Sequence, residues 1–212
     1  MKFDLIKNKL EAYDAQEKKL FTTSSFQSHS IVLLHIISRI NPKIPVFFLN
    51  TGYHFPETVA FSEEVCRLFG LQLMRIRPIM PKHQQVDDDG RLLFTSDPDY
   101  CCYLNKTQPL ENVLPHYDIW VNGVRAEQSR VRKAMKTEQD APHGVVRFHP
   151  MLDWSIKEIY AFLRQYDLPR HPLDSKGYAS IGCEPCTKKP DPGLQEREAR
   201  WYGMKKTECG LN

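Results

Sequence analysis

Residues Pro45 to Asn50 read PVFFLN, a continuous apolar run opened by proline and followed by Thr51-Gly52. Such a run suits a strand covered on both faces, as in a parallel sheet. Its flanks agree. Upstream, Phe21 to Ser25 is short and β-prone, and the polar Ser28-His29-Ser30 separates it from Ile31 to Ile37, which reads as a buried helix. Downstream, Pro56 to Phe69 has helical spacing, with Pro56 suited to a first helical turn. Leu71 to Ile76 follows as a third strand, Asp118 to Val121 as a fourth and Val145 to Phe148 as a fifth. Ser155 to Tyr166 is a helix with Asp153 or Ser155 as its cap, and residues 1 to about 19 form an amphipathic helix on Phe3, Ile6, Leu10 and Tyr13. Strands alternating with helices predict an α/β fold with an open, mostly parallel sheet and helices on both faces. From residue 169 prolines and glycines crowd the chain. The expected division is therefore an α/β body over 1–168 and an irregular segment over 169–212 wrapped on it.

The chain has 212 residues, 41% hydrophobic and 26% charged, a composition that excludes disorder, collagen and coiled coil as the main architecture. A net charge of +3 gives no basic stripe for nucleic acid. The most apolar stretch, Ile31 to Ile37, is broken by His35 and is far shorter than the roughly 20 residues of a membrane span. The amino-terminal MKFDLIKNKL alternates charge with apolar residues, unlike a signal peptide. A cytoplasmic chain without membrane or nucleic-acid partners is expected, and a homo-oligomer is left open.

Six cysteines in such a chain point to metal binding or catalysis rather than disulfides. Cys101-Cys102 and Cys183-x-x-Cys186 form two close pairs far apart in sequence. Four thiolates hold either zinc or an iron–sulfur cluster. Adjacent cysteines point in divergent directions, which favours two irons of one cluster over two corners of a small zinc tetrahedron. Cys66 lies inside a helix among apolar neighbours and reads as core. Cys209 sits near the end in KKTECGLN, beside Lys205 and Lys206, where nearby cations favour the nucleophilic thiolate.

The turn TTSSFQSHS (Thr22 to Ser30) links strand to helix and offers hydroxyls and backbone N–H groups to an anion, without the glycines of a Walker loop. Asn50-Thr51-Gly52-Tyr53 closes the second strand, and ligands of open α/β sheets bind beyond strand carboxyl ends. After the fourth strand, Arg125 and Arg130 are placed to bind oxyanions, whereas Arg132, Lys133 and Lys136 read equally well as a solvated helix face. Arg197 and Arg200, three apart, share a face if helical.

Taken together, SSFQSHS, NTGYHFPET, Cys101-Cys102 with Lys106, GVRAEQSR, PMLDW, KGYASIGCEPCT, REARW and KTECGL resemble the assimilatory sulfonucleotide reductases, specifically the iron–sulfur branch acting on adenosine 5′-phosphosulfate. The resemblance runs from about residue 20 to the end. It implies an adenine-nucleotide α-hydrolase-like fold and one 4Fe–4S cluster on Cys101, Cys102, Cys183 and Cys186. It implies that Cys209 attacks the substrate sulfur, that AMP leaves, and that thioredoxin or glutaredoxin releases sulfite from the S-sulfocysteine. Lys106, Arg197 and Arg200 would assist catalysis. Ser24, Ser25, Phe26, Ser30, Asn50, Thr51, Gly52, Arg125, Gln128, Ser129 and Arg130 would bind substrate. Gln27, Asn50, Ala199 and Asn212 depart from the family pattern. A 3′-phosphorylated or dual substrate is the alternative. More remote are an ATP pyrophosphatase-type enzyme, whose SGGxDS loop this chain lacks, and a zinc scaffold, which would leave Cys209 and the paired arginines without a role.

Overall fold

In the computed structural model, which describes residues 2–191, 197, 199–204, 206, 208, 210 and 211, the PVFFLN run supplies β2 (Val46–Leu49), all four residues buried. In chain order the elements are α1 (Lys2–Ala15), β1 (Leu20–Thr23), α2 (Ser28–Ile40), β2, α3 (Pro56–Phe69) and β3 (Leu73–Ile76). There follow α4 (Leu93–Ser96), α5 (Pro98–Cys102), α6 (Gln108–Glu111), β4 (Ile119–Val121), α7 (Arg130–Lys133), β5 (Glu138–Asp140), β6 (Val146–Phe148) and α8 (Ile156–Gln165). The sheet order is β3-β2-β1-β4-β6-β5. Every pairing is parallel except β5 with β6. The mostly parallel α/β fold expected from sequence is the one observed. The antiparallel edge strand β5 was not expected: Glu138-Gln139-Asp140 carries no apolar signal, and pairing with β6 alone makes it a strand.

Alternate strand residues feed two cores. Leu20, Val46, Phe48, Ile119, Val121 and Phe148 pack with α1, α2, α3 and α8. Phe21, Phe47, Leu49 and Trp120 face the other way, onto Leu110, Leu114 and Leu211. Covered on both faces, these strands need no polar alternation. Helix α2 is buried continuously from Ile31 to Ile37, because the sheet, α1, α3 and α8 surround it.

Local signals fix the boundaries. Helix α3 opens on Pro56 and stops at Gly70, whose left-handed φ of 65° lets its N–H reach the last carbonyls. Cys66 is buried in α3 and burial pushes its thiol up to about 12, as a core cysteine should be. Helix α8 is capped by Ser155, not Asp153: Ser155 Oγ accepts from the Glu158 N–H, and Glu158 accepts the Ser155 N–H at 2.8 Å. No helix of the described residues is long and apolar enough to cross a membrane.

Beyond residue 168 the chain runs in turns held to the strand ends. Ser28 Oγ accepts the His171 N–H at 2.8 Å, and the Tyr53 carbonyl accepts the Glu184 N–H at 2.7 Å. The Gln27 side-chain carbonyl accepts the Ile181 N–H at 2.8 Å, which gives this departure from the family pattern a role: it ties the first loop to the cysteine-bearing segment.

Candidate active site

The sheet order reverses direction at β1, since β2 and β4 lie on opposite sides of it. Chain segments leaving β1 and β4 therefore part, and a crevice opens between their carboxyl ends. A pocket occupies that place. The β1–α2 loop lines it with Ser24, Ser25, Gln27, His29 and Ser30, and the β4 end lines it with Asn122, Gly123 and Val124. The loop is shaped by its own side chains. Ser24 Oγ accepts the Phe26 N–H at 3.0 Å, Ser25 and Ser30 hydroxyls pair at 3.2 Å, and Gln27 donates to Ser25 at 3.2 Å. Phe26 takes a left-handed φ of 54°, which a phenylalanine holds here because its ring is fully buried edge-on to Phe48. Its side chain belongs to the core, not to the pocket wall.

The wall carries five cations, Lys106, Arg132, Arg147, Arg197 and Arg200, and among the described lining residues no carboxylate. Two arginine assignments differ from the sequence reading. Arg125 is buried, 2% exposed, but pairs with Glu127 and does not line the pocket; Arg130 is exposed on the outer side of α7. Arg132, which could equally have been a solvated residue, is the one that turns inward. Ser129 caps α7 by accepting the Arg132 N–H at 3.2 Å, and this short turn carries Arg130 outward and Arg132 in. Gln128 accepts from Arg132 Nη1 at 2.6 Å and lines the pocket. Arg147, a basic residue inside the strand VRF, stacks 4.2 Å from the Trp120 ring and donates to the Leu211 carbonyl. A lone charge inside an otherwise apolar strand is the sequence signal for this inward arginine.

A second, smaller pocket adjoins the first. All four cysteines of the two pairs line it, together with Asn105, Lys106, Arg200 and Trp201. Lys106, Arg200 and Trp201 thus stand on walls common to both pockets. Cys101 and Cys102 end α5, which Asp97 caps by accepting the Tyr100 N–H at 2.9 Å; a π-helical turn, Tyr103–Thr107, then brings Lys106 round. Cys183 and Cys186 come from the carboxyl-terminal segment, which bridges to the β2 loop at His54. Three of the four cysteines are buried and Cys183 is half-buried. Burial, then the neighbouring thiols, push Cys101 up to about 12 and Cys186 up to about 11. Such a set ionises together only beside a cation. Among the described residues, no three His, Cys, Asp or Glu side chains converge as one ion would need. The thiols also have polar neighbours: Asn105 Nδ2 stands 3.6 Å from Cys101 Sγ and Thr51 Oγ1 3.3 Å from Cys183 Sγ.

The β2 loop does not reach the first pocket with the residues expected to do so. Asn50 accepts the Gly52 N–H at 3.2 Å, an Asx turn that an Asp would make equally well. Thr51 is fully buried and faces Cys183 and His54. Gly52 has a left-handed φ of 74°, and Lys82 packs where a side chain would go. From this loop His54, not Asn50, Thr51 or Gly52, lines the pocket.

Arg200 is buried, lies 4.6 Å from the Trp201 ring and donates to the Cys186 carbonyl at 3.1 Å. A Cβ on Gly182 would overlap its guanidinium, which would have to shift to admit one. Arg197 donates at 2.9 Å to Glu208, whose carboxylate also receives Ser129 Oγ at 2.7 Å and Arg132 at 3.0 and 3.2 Å. Burial alone would raise Glu208; the Arg132 bonds and charge, with Ser129 and Arg197, overcome it and hold the carboxyl below its ordinary range. Cys209 and Asn212 lie outside the described residues.

Two histidines stay neutral here: His29, which lines the pocket, and His149, whose ring pairs with the Asn122 side chain. Burial and then Arg125, Arg132 and Arg197 push His29 down to about 3; burial and then Arg147 and Arg132 push the fully buried His149 to about 4. Both values lie below the 6.5 of an unperturbed histidine. The unfolded chain therefore binds protons that the native one refuses, and stability falls as pH drops below 6.5. For His149 the slope approaches ~1.4 kcal/mol per pH unit until its native value is reached. Thermal melts are expected to show a midpoint declining between pH 6.5 and 5, and His149→Gln should flatten that decline.

A family model described as phosphoadenosine phosphosulfate reductase domain matches residues 19–189. The chain is 40% identical over 198 residues to the phosphoadenosine 5′-phosphosulfate reductase of Gloeobacter violaceus, covering 92% of this chain and 82% of that one. It is 37% identical over 203 residues to the adenosine 5′-phosphosulfate reductase of Bacillus cereus strain 03BB102, covering 95% and 87%. The fold is similar to the crystal structure of phosphoadenylyl-sulfate reductase from Candida auris in a phosphate complex, with a TM-score of 0.70 at 21% identity over 84% of this chain and 87% of that one.

Proposed function

We propose, since the chain belongs to the phosphoadenosine phosphosulfate reductase domain family and is accordingly a sulfonucleotide reductase, that it reduces adenosine 5′-phosphosulfate to sulfite and AMP through an S-sulfocysteine on Cys209. The observation that carries this reading is the five-cation pocket at the sheet's switch point sharing a wall with the four-cysteine pocket. Cationic density of this kind answers the main obstacle of the chemistry, the approach of an anionic thiolate to an anionic sulfate.

In the reaction, a Cys209 Sγ–S bond forms as the sulfur–oxygen bond to the nucleotide breaks, and AMP leaves with the electron pair on its phosphate. A dithiol donor, thioredoxin or glutaredoxin, then attacks Cys209 Sγ, sulfite departs, and the second donor thiol restores Cys209. The donor becomes a disulfide, so two electrons take sulfur from sulfate to sulfite level. The Ser24–Ser30 loop and the start of α2 offer donors to the nucleotide's anionic end. Lys106, Arg197 and Arg200 hold the charge that develops on the departing phosphate, and Arg132 and Arg147, which line the same pocket, join them in that role.

Cys101, Cys102, Cys183 and Cys186 would hold one 4Fe–4S cluster. Zn–S bonds of about 2.3 Å draw four sulfurs toward a point; thiols ringing a pocket suit a larger group. Bound there, the cluster supplies a fixed charge and a clamp joining α5 to the carboxyl-terminal segment. Lys106 faces both pockets, so Lys106→Ala is expected to lower turnover by about 10²-fold or more, the scale of a lost oxyanion partner, with iron content unchanged. Loss of iron in that variant would assign Lys106 to structural support.

Anaerobic purification with iron and acid-labile sulfide analysis, on the sample assayed for sulfite release with thioredoxin, tests the whole reading. About four irons with sulfite release supports it; a colourless, zinc-loaded, inactive protein refutes it. Competition between adenosine 5′-phosphosulfate and its 3′-phosphorylated form in the same assay settles the substrate.

A further inference from the structure

The carboxylate of Glu208 is held by Arg132 and Arg197, two of the five cations on the pocket wall. It takes four hydrogen bonds, from Ser129 Oγ, Arg132 Nε and Nη2, and Arg197 Nη2, at 2.7 to 3.2 Å. Its side chain is 11% exposed, as is that of Arg132. The arrangement is that of a bound anion: a planar carboxylate in a guanidinium fork, with a hydroxyl on one oxygen. The same tail delivers the Leu211 carbonyl to Arg147, places Leu211 on the pocket wall and sets Lys206 against Asp99.

Two anions cannot share one guanidinium pair without strong repulsion in a water-poor site. We propose that Glu208 is a positioning residue that occupies the seat of the nucleotide's terminal anionic group, so that substrate entry and displacement of the tail next to Cys209 are a single exchange. The inference rests on the sulfonucleotide reading above. It explains why a tail that carries an acid one residue before its nucleophile is compatible with an anionic substrate. The acid rests on Arg132 and Arg197 and leaves them when the substrate's own charge arrives. The tail then carries Cys209 with a changed set of contacts, and Glu208 can return once sulfite and AMP have gone.

The probes are ADP, whose terminal phosphate stands where the sulfate would and which a thiolate does not reduce, and AMP, which lacks that group. Binding to the anaerobically purified protein, of verified iron content, is compared with Glu208→Gln. The variant is expected to bind ADP about tenfold more tightly and AMP within about twofold of the parent, and in turnover to lower KM and kcat together, with Glu208→Asp restoring part of kcat. A merely structural role would not split the two nucleotides. In the unsubstituted protein, ADP is expected to speed tryptic cleavage after Lys206 several-fold and AMP not to; this arm does not depend on any variant folding. Unchanged or weaker ADP binding by Glu208→Gln, or equal tightening of both nucleotides, overturns the exchange. If neither nucleotide binds the parent protein, the sulfonucleotide reading fails, and the exchange with it.

Discussion

Cys209→Ser is expected to abolish sulfite release while iron content and nucleotide binding stay at their original level. The proposed reaction needs a nucleophile that is anionic near neutrality and that can later be a leaving group from sulfur. A cysteine beside Lys205 and Lys206 meets both needs; a serine hydroxyl meets neither. Loss of a catalytic nucleophile costs on the order of 10³-fold or more. The described neighbours place the tail at the site: Glu208 on Arg132 and Arg197, and the Gly210 carbonyl 3.5 Å from Thr107 Oγ1, one residue past Lys106. Mass spectrometry adds a second arm. With substrate and no donor, the parent protein should gain one sulfonate mass on the tryptic peptide bearing Cys209, and the variant none. Sulfite release by Cys209→Ser at parental rates would remove the covalent intermediate from the mechanism.

Cys186→Ala is expected to be nearly as damaging for a different reason. Most of the iron should be lost, sulfite release should fall to background and the melting temperature should drop. The Cys186 carbonyl receives both Arg200 Nε and the Trp201 N–H at 3.1 Å, and Trp201 holds a left-handed φ of 52° beneath two arginines. A residue in that conformation stays there only when its surroundings over-determine it. Freeing the segment at Cys186 therefore releases Trp201, and with it the guanidiniums of Arg197 and Arg200 that line the pocket. Set beside Lys106→Ala, the comparison separates charge from scaffold: one variant should keep the iron and lose the rate, the other should lose both. Full iron in Cys186→Ala would remove it from the ligand set.

What could be read from the chain was whatever local chemistry determines. PVFFLN could only be a doubly covered strand, and the two cysteine pairs declared themselves by spacing alone. Residues whose role depends on which way a short element turns could not be read. Arg125, Arg130 and Arg132 are near neighbours of one type in sequence, and only the cap at Ser129 decides that the third faces the pocket. Thr51 looked like part of a nucleotide loop, but the bridge between His54 and Cys183 turns it toward the thiols. Glu208 gave no sign, because an acid near two lysines has no visible reason to seek arginines at positions 132 and 197. Strand β5 was invisible because its stability is entirely that of its partner.

That same strand bears on how copies of the protein behave toward one another. A sheet of mostly parallel strands leaves a row of unpaired N–H and C=O groups at each border, a template onto which another chain can add. Here one border is β5, whose Glu138 and Asp140 are exposed carboxylates, Glu138 tied to Lys9 at 2.9 Å. The other is β3, only four residues long, where Arg75 projects outward and pairs with Glu63. A strand arriving at either border would have to set its own side chains against fixed charges. Polymerisation through the sheet is thereby discouraged at both ends. Any self-association of the enzyme would have to use its helices or loops, and Glu138→Val with Asp140→Val should raise turbidity on heating without altering the chemistry of the pocket.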